Sequence, residues 1–192
     1  YEDILANAPN NVAVHYHYAM GLVIQGQEVA ALDAAENAVT ANPFAADAWT
    51  VRAMAFNANG RYGEAIASAL QALEIASEDA IEANPALEVS RARALAHLAE
   101  AYVGQARSTN GAYERAANTV QRALDLNPDN AHAYYVEGLL SQSRDFDNFA
   151  AREAFITAYE LAPNMHNYGV EVAKAHYNLG DYDSLTATLD TA

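Results

Sequence analysis

Proline and glycine recur along this chain at a nearly constant step. Pro9 and Pro43 are 34 residues apart, and so are Gly26 and Gly60. The small residues keep the same interval, Ala31 to Ala65 and Ala38 to Ala72. Pro128 and Pro163 are 35 apart, one residue more. Gly60 and Tyr62 reappear together 120 residues later as Gly180 and Tyr182. A unit this short cannot bury its own apolar face, so it must stack on copies of itself. The chain is therefore best divided into repeats rather than into globular domains.

The stretch from Asp47 to Asn84 shows what one unit contains. Trp49, Ala53 and Phe56 fall on one helical face at steps of four and three. Ala65, Ala69 and Ala72 do the same after a turn at Gly60. Large side chains opposite small ones let two antiparallel helices approach closely. Period, turn glycine, small-residue positions and closing proline together resemble the tetratricopeptide repeat, a 34-residue helix-turn-helix unit. That resemblance implies an all-α, right-handed α-solenoid of antiparallel helix pairs. Five copies are expected, at about 11–43, 45–77, 86–128, 130–163 and 165–192. A helical insertion is expected at about 77–91, with a smaller one at 107–111.

Local details follow from the residue types. Asn10 or Asn11, Asn130 and Asn164 are placed to cap first helices, because their side chains accept from orphan amides. The second helix of repeat two lacks a proline stop and is expected to run past Ile75 to about Ile81. Pro85 then opens the next helix at its first position. In repeat four Tyr134, Gly138 and Ser141 form the inner face, and Asp145 replaces the turn glycine with one extra residue. Val172, Ala173, His176, Leu185 and Leu189 fill the matching slots of repeat five. Residues 1–9 read as the end of a preceding repeat, and the chain stops within a second helix. The sequence is thus expected to be a piece of a longer protein, bacterial in composition, being alanine-rich and lysine-poor.

Charge narrows the partners. The formal net charge is -15, and Lys174 is the only lysine. A nucleic-acid binder needs a basic groove to neutralise phosphates, so that class is disfavoured. An anionic membrane surface is disfavoured for the same reason. No apolar run approaches the roughly 18 residues of a membrane span. Cysteine is absent, which excludes disulfides and thiolate metal sites but does not fix the compartment. A neutral or basic protein partner fits the charge.

The resemblance also implies where a partner lies, along a concave face lined by the first helices. Carried over residue by residue, repeat one contributes Ala13, Tyr16, Met20 and Val23. Repeat two contributes Asp47, Thr50, Met54 and Asn57. Repeat three contributes Arg93, Ala96, Glu100 and Val103. Repeat four contributes His132, Tyr135, Leu139 and Gln142, and repeat five Asn167, Val170, Lys174 and Tyr177. Two readings stand for the large apolar members: anchors for a partner, or residues packed against neighbouring repeats. The subtype that clamps acidic C-terminal tails carries lysine and asparagine at these slots. Here they hold Tyr16 and Met20, Thr50 and Met54, Ala96 and Glu100, or Tyr135 and Leu139, and only Arg93 and His97 resemble the basic half, so that subtype is rejected.

Chemistry is sparse. His15 and His17 lie two apart, on opposite sides of a helix, and no histidine pair has the spacing of three or four that one helix needs to chelate an ion. Asp145-Phe146-Asp147 and Asp181-Tyr182-Asp183 lack the glycine and closing glutamate of a calcium loop. Glu74, Glu78, Asp79, Glu82 and Glu88 read as a solvated face. Half of the basic residues (Arg91, Arg93, Arg107, Arg115 and Arg122) fall in repeat three, where they pair with those acids or mark a local anionic contact. No phosphate loop, nucleophile elbow or metalloprotease motif is present, and nothing sets two carboxylates across a cleft. The expectation is a non-catalytic protein-interaction module with no cofactor and no metal. The alternatives are a scaffold that self-associates through its open ends, or the regulatory part of a larger protein.

Overall fold

A computed structural model describes residues 11–191. The fold is all-α, an α-solenoid. The described residues form eleven α-helices and one short π-helical segment, with no strand among them. In order they are α1 (Val12–Ile24), α2 (Glu28–Ala41), α3 (Ala46–Ala58) and α4 (Tyr62–Ile75). Then come α5 (Glu78–Ala83), α6 (Leu87–Gln105) and α7 (Ala112–Leu126). The series ends with α8 (Ala131–Leu140), the π segment Ser141–Asp145, α9 (Asn148–Leu161), α10 (His166–Leu179) and α11 (Tyr182–Thr191). Neighbours pack as pairs: α1 with α2, α3 with α4, α6 with α7, α8 with α9, and α10 with α11. The first members form a second row, in which α1 packs on α3, α3 on α6 and α6 on α8.

Alanine makes this close packing possible. Ala31, Ala35 and Ala38 of α2, Ala65, Ala69 and Ala72 of α4, and Ala116 and Ala123 of α7 are fully buried. Each gives a helix axis room to approach its partner without an added cavity. The bulk that fills the remaining space comes from Val51, Leu95, Val136 and Phe155, all fully buried. Gly26, Gly60 and Gly180 take φ of 68°, 68° and 72° between paired helices, where a side chain would be strained. Asn11 caps α1 by accepting from the amides of Ala13 and Val14, and Asn130 caps α8 by accepting from Ala133.

Four local expectations need correction. Helix α4 does not run on to Ile81. It stops at Ile75; Ala76 leaves helical geometry, and the Ser77 side chain accepts from the Ala80 amide to start α5. The break is held from outside, because Arg91 of α6 donates to the carbonyls of Leu73 (3.2 Å) and Ala76 (2.7 Å). Those carbonyls would otherwise be orphans of a helix end. Pro85 sits in a turn two residues before α6 rather than at its first position, with Asn84 Oδ1 accepting from the Ala86 amide. Asn164 does not cap α10; Met165 occupies that position, and no side chain bonds there. In repeat four the left-handed residue is Phe146 (φ 54°), not Asp145. The extra residue is absorbed by the π segment, which widens one turn instead of lengthening the loop. Ser141 lies in that segment, and α8 packs through Gly138, as expected, together with Val136 and Leu140. The proposed end of a preceding repeat at residues 1–9 lies outside the described residues, as does the side chain of Leu189.

Candidate functional site

The row of first helices lines an open cavity of about 540 Å³. Every first helix contributes to it. Tyr16, Met20 and Val23 come from α1, Met54 and Ala58 from α3, and Val89, Arg93, His97 and Glu100 from α6. His132 and Tyr135 come from α8, and Asn167 and Tyr168 from α10. One space shared by the first and last pairs requires the row to curve around it.

Its walls are largely apolar and its floor is polar. Glu100 Oε2 accepts from Asn57 Nδ2 at 2.8 Å. The same oxygen lies 3.0 Å from His132 Nε2 and 3.3 Å from His97 Nδ1. His132 Nδ1 lies 3.0 Å from the Tyr168 hydroxyl. The two imidazoles lean on each other with ring centroids 4.1 Å apart, and Tyr135 stacks on Tyr168 at 5.0 Å. The register of α6 explains half of the arrangement: Arg93, His97 and Glu100 are spaced four and three, so they share a face.

The electrostatics follow from burial and from this pairing. Burial pushes the His97 pKa down, the neighbouring His132 adds to that, and the bond to Glu100 only partly opposes it; the result is about 4. His97 is therefore neutral at neutral pH. For Glu100 burial pulls upward, but the charge and hydrogen bond of His132 and the bond from His97 outweigh it. Its carboxyl stays well below the usual range and is ionised. Burial, reinforced by the Glu100 charge, raises the Tyr135 and Tyr168 hydroxyls far above their ordinary value, so both stay protonated. Tyr16 is raised by burial too, against the opposing pull of Arg93, whose guanidinium lies over its ring at 5.8 Å. Arg93 also faces Asp47 at 3.6 Å.

The positions expected to line a groove divide into groups. Tyr16, Met20, Val23, Met54, Arg93, Glu100, His132, Tyr135 and Asn167 surround the cavity. Thr50 does not reach it; it is fully buried, with its hydroxyl donating to the Ala46 carbonyl. Asn57 is a buried tie between helices, donating to Glu100 and to the His97 carbonyl. Leu139 packs partly buried against the cluster around Phe155, and Gln142 sits in the π segment. Lys174 pairs with Glu171 at 2.7 Å on an exposed face, and Tyr177 is 63% exposed against Tyr182. Val89 and Tyr168 were not expected to line the site, and His97 was weighed there only as half of a basic clamp. His97 and Glu100 carry a local signal, since histidine and glutamate three apart share a helical face. His132 and Tyr168 carry none, because they arrive from later pairs. No histidine pair has chelating spacing in sequence, yet His97, Glu100 and His132 present ligand atoms within 4.8 Å of one another.

Outside the cavity, Arg91 pairs loosely with Glu78 at 3.8 Å, so one member of the acidic set does meet the basic cluster. No described helix is long and apolar enough to cross a membrane.

Comparison with known proteins gives a consistent picture. A family model described as tetratricopeptide repeat matches residues 25–81 and 104–150. Among solved structures, a thermophilic repeat protein of this kind from Thermus thermophilus superposes with a TM-score of 0.66 at 20% identity. That match covers 93% of this chain and 88% of the other. Pseudomonas aeruginosa pilF gives 0.55 at 21% identity, over 94% and 74% of the two chains. The human IFIT1 dimer with PPP-AAAA gives 0.66 at 17% identity, and there 98% of this chain spans 43% of the other. No curated protein sequence matches the chain.

Proposed function

The chain belongs to the tetratricopeptide-repeat family, whose repeats generally mediate protein–protein interaction, and on that premise we propose that its cavity receives a neutral or basic partner segment. The segment enters as an extended peptide or a helix, and the module itself is non-catalytic. We divide the array into repeats at about 11–43, 45–77, 86–128, 130–163 and 165–192. The observation that carries the reading is the cavity shared by all five first helices. Its walls offer Tyr16, Met20, Val23 and Met54, side chains of the kind that anchor interfaces. Its charged lining is Arg93 against Glu28, Glu100 and Asp129, which favours a cationic or neutral occupant. The same lining argues against carrying over the PPP-AAAA ligand of human IFIT1, because its phosphates would meet three carboxylates and one arginine.

Site-specific photo-crosslinking tests this. A crosslinking amino acid at Met20 or Val89 is expected to trap a partner chain, whereas the same group at Val29, 72% exposed on α2, is not. Adducts at Val29 with none at Met20 or Val89 refute the assignment. A second reading, self-association through an open end, draws on the exposed Val170, Tyr177 and Tyr182 of the last described pair. Sedimentation across a concentration range separates it, since only that reading requires the mass to rise.

A further inference from the structure

We infer that His97, Glu100 and His132 form a site for one divalent transition-metal ion of the zinc class, with a coordination position open to the cavity. The three ligand atoms are His97 Nδ1, Glu100 Oε2 and His132 Nε2. They come from α6 and α8, and all lie within 4.8 Å of one another.

The spacing fits the ion. Ligands held at about 2.0–2.2 Å around a tetrahedral zinc lie roughly 3.3–3.5 Å from each other. The carboxylate oxygen stands 3.3 Å from one imidazole nitrogen and 3.0 Å from the other. Small side-chain adjustments therefore open the set around a cation. Each imidazole must offer a bare nitrogen, so its proton moves to the other ring nitrogen. For His132 an acceptor for that proton is already in place, because Nδ1 faces the Tyr168 hydroxyl at 3.0 Å. This is the outer contact that commonly fixes the tautomer of a metal-binding histidine. Asn57 supplies a second outer contact by donating to Glu100 Oε2. The carbonyl oxygen of that same buried amide has no hydrogen-bond partner.

The ligand set selects the class of ion. Two imidazoles and one carboxylate suit zinc, cobalt, nickel or copper; calcium and magnesium prefer cages of oxygen. Three protein ligands leave at least one position free, and here it faces the space where a partner side chain would enter. The cluster ties neighbouring helices, but apolar packing could do the same at less cost. A buried carboxylate bridging two histidines is costly, and well-packed apolar residues commonly stabilise such a position as well or better.

The experiment titrates chelator-treated protein with cobalt(II) alone and follows its visible d–d bands, with zinc titrated by calorimetry in parallel. One ion per chain is expected. His132→Ala and Glu100→Gln should each weaken binding by at least about ten-fold. His166→Ala, at an exposed histidine outside the cavity, should leave it unchanged. Absence of the bands at excess cobalt, or variants that titrate like wild type, overturns the proposal. Circular dichroism checks each variant. A measurement on wild type alone also decides the matter if a variant unfolds: zinc should shift the side-chain nitrogen resonances of His97 and His132. Shifts confined to other histidines overturn the assignment.

Discussion

Gly138 offers a quantitative test of how the pairs pack. A Cβ built on Gly138 would lie 2.4, 2.5 and 2.9 Å from three ring atoms of Phe155, distances that real side chains do not tolerate. Phe155 is fully buried, so its ring has nowhere to retreat. Adding a methyl group at such a point costs about 1–3 kcal/mol, and three close contacts place the site in the upper half of that range. Replacing glycine by alanine inside a helix returns about 1 kcal/mol. Gly138→Ala should therefore lose roughly 1–2 kcal/mol, a fall of about 0.5–1 M in the urea midpoint at a slope near 2 kcal/mol/M. Gly21 provides the control, since nothing lies within 4 Å of its would-be Cβ. Gly21→Ala should gain about 0.5–1 kcal/mol through backbone propensity alone. Urea unfolding followed by circular dichroism reads both. A further variant, Gly138→Ala with Phe155→Leu, should show favourable coupling, because the shorter side chain vacates the contested space. Gly138→Ala at or above wild-type stability would refute the reasoning, as would equal shifts at the two glycines.

Two further outcomes follow from local geometry. Arg91→Ala removes the donor to the Leu73 and Ala76 carbonyls and should destabilise the chain by about 1–3 kcal/mol, read from the urea midpoint; Arg91→Ala indistinguishable from wild type would show that water caps α4 as well. Phe146 holds a left-handed backbone while 83% exposed, so Phe146→Gly should relieve about 1 kcal/mol of strain and raise the melting temperature. A lower melting temperature would mean that the exposed ring contributes packing.

The architecture was legible because its determinants repeat. Gly26, Gly60 and Gly180 needed left-handed backbone, and the alanines of α2 and α4 returned at the interval that brings each helix against the next. The departures arise where a distant group overrides local preference. Residues 72–81 read as one helix because almost every residue there favours it. Ser77 and the guanidinium of Arg91, 14 residues further on, break it at Ala76. The π segment before Phe146 has no sequence period to betray it. At the site, the family resemblance carried over to Tyr16, Met20, Met54, Arg93 and Glu100 put them on the inner row, and helical register adds only that those on the same helix share a face. Tyr168 escaped because its place depends on the tilt between pairs. Those tilts accumulate along the row and bring α10 to the same space as α1.

The polar floor of the cavity bears on that curvature. In a solenoid each pair touches its neighbours, so small changes at one interface are free to accumulate along the array. Here one carboxylate ties three consecutive first helices: Asn57 of α3, His97 of its own α6, and His132 of α8. Tyr168 extends the chain of bonds to α10. The residues that an occupant would meet at the bottom of the cavity are thus the ones that hold successive pairs in register. A bond lost or gained at Glu100 alters two interfaces at once, α3 on α6 and α6 on α8. Filling the cavity with a cationic group, or the cluster with a metal ion, would then change the width of the space along with its chemistry. Affinity for a partner and the state of Glu100 should accordingly be coupled, each biasing the other by the same free energy.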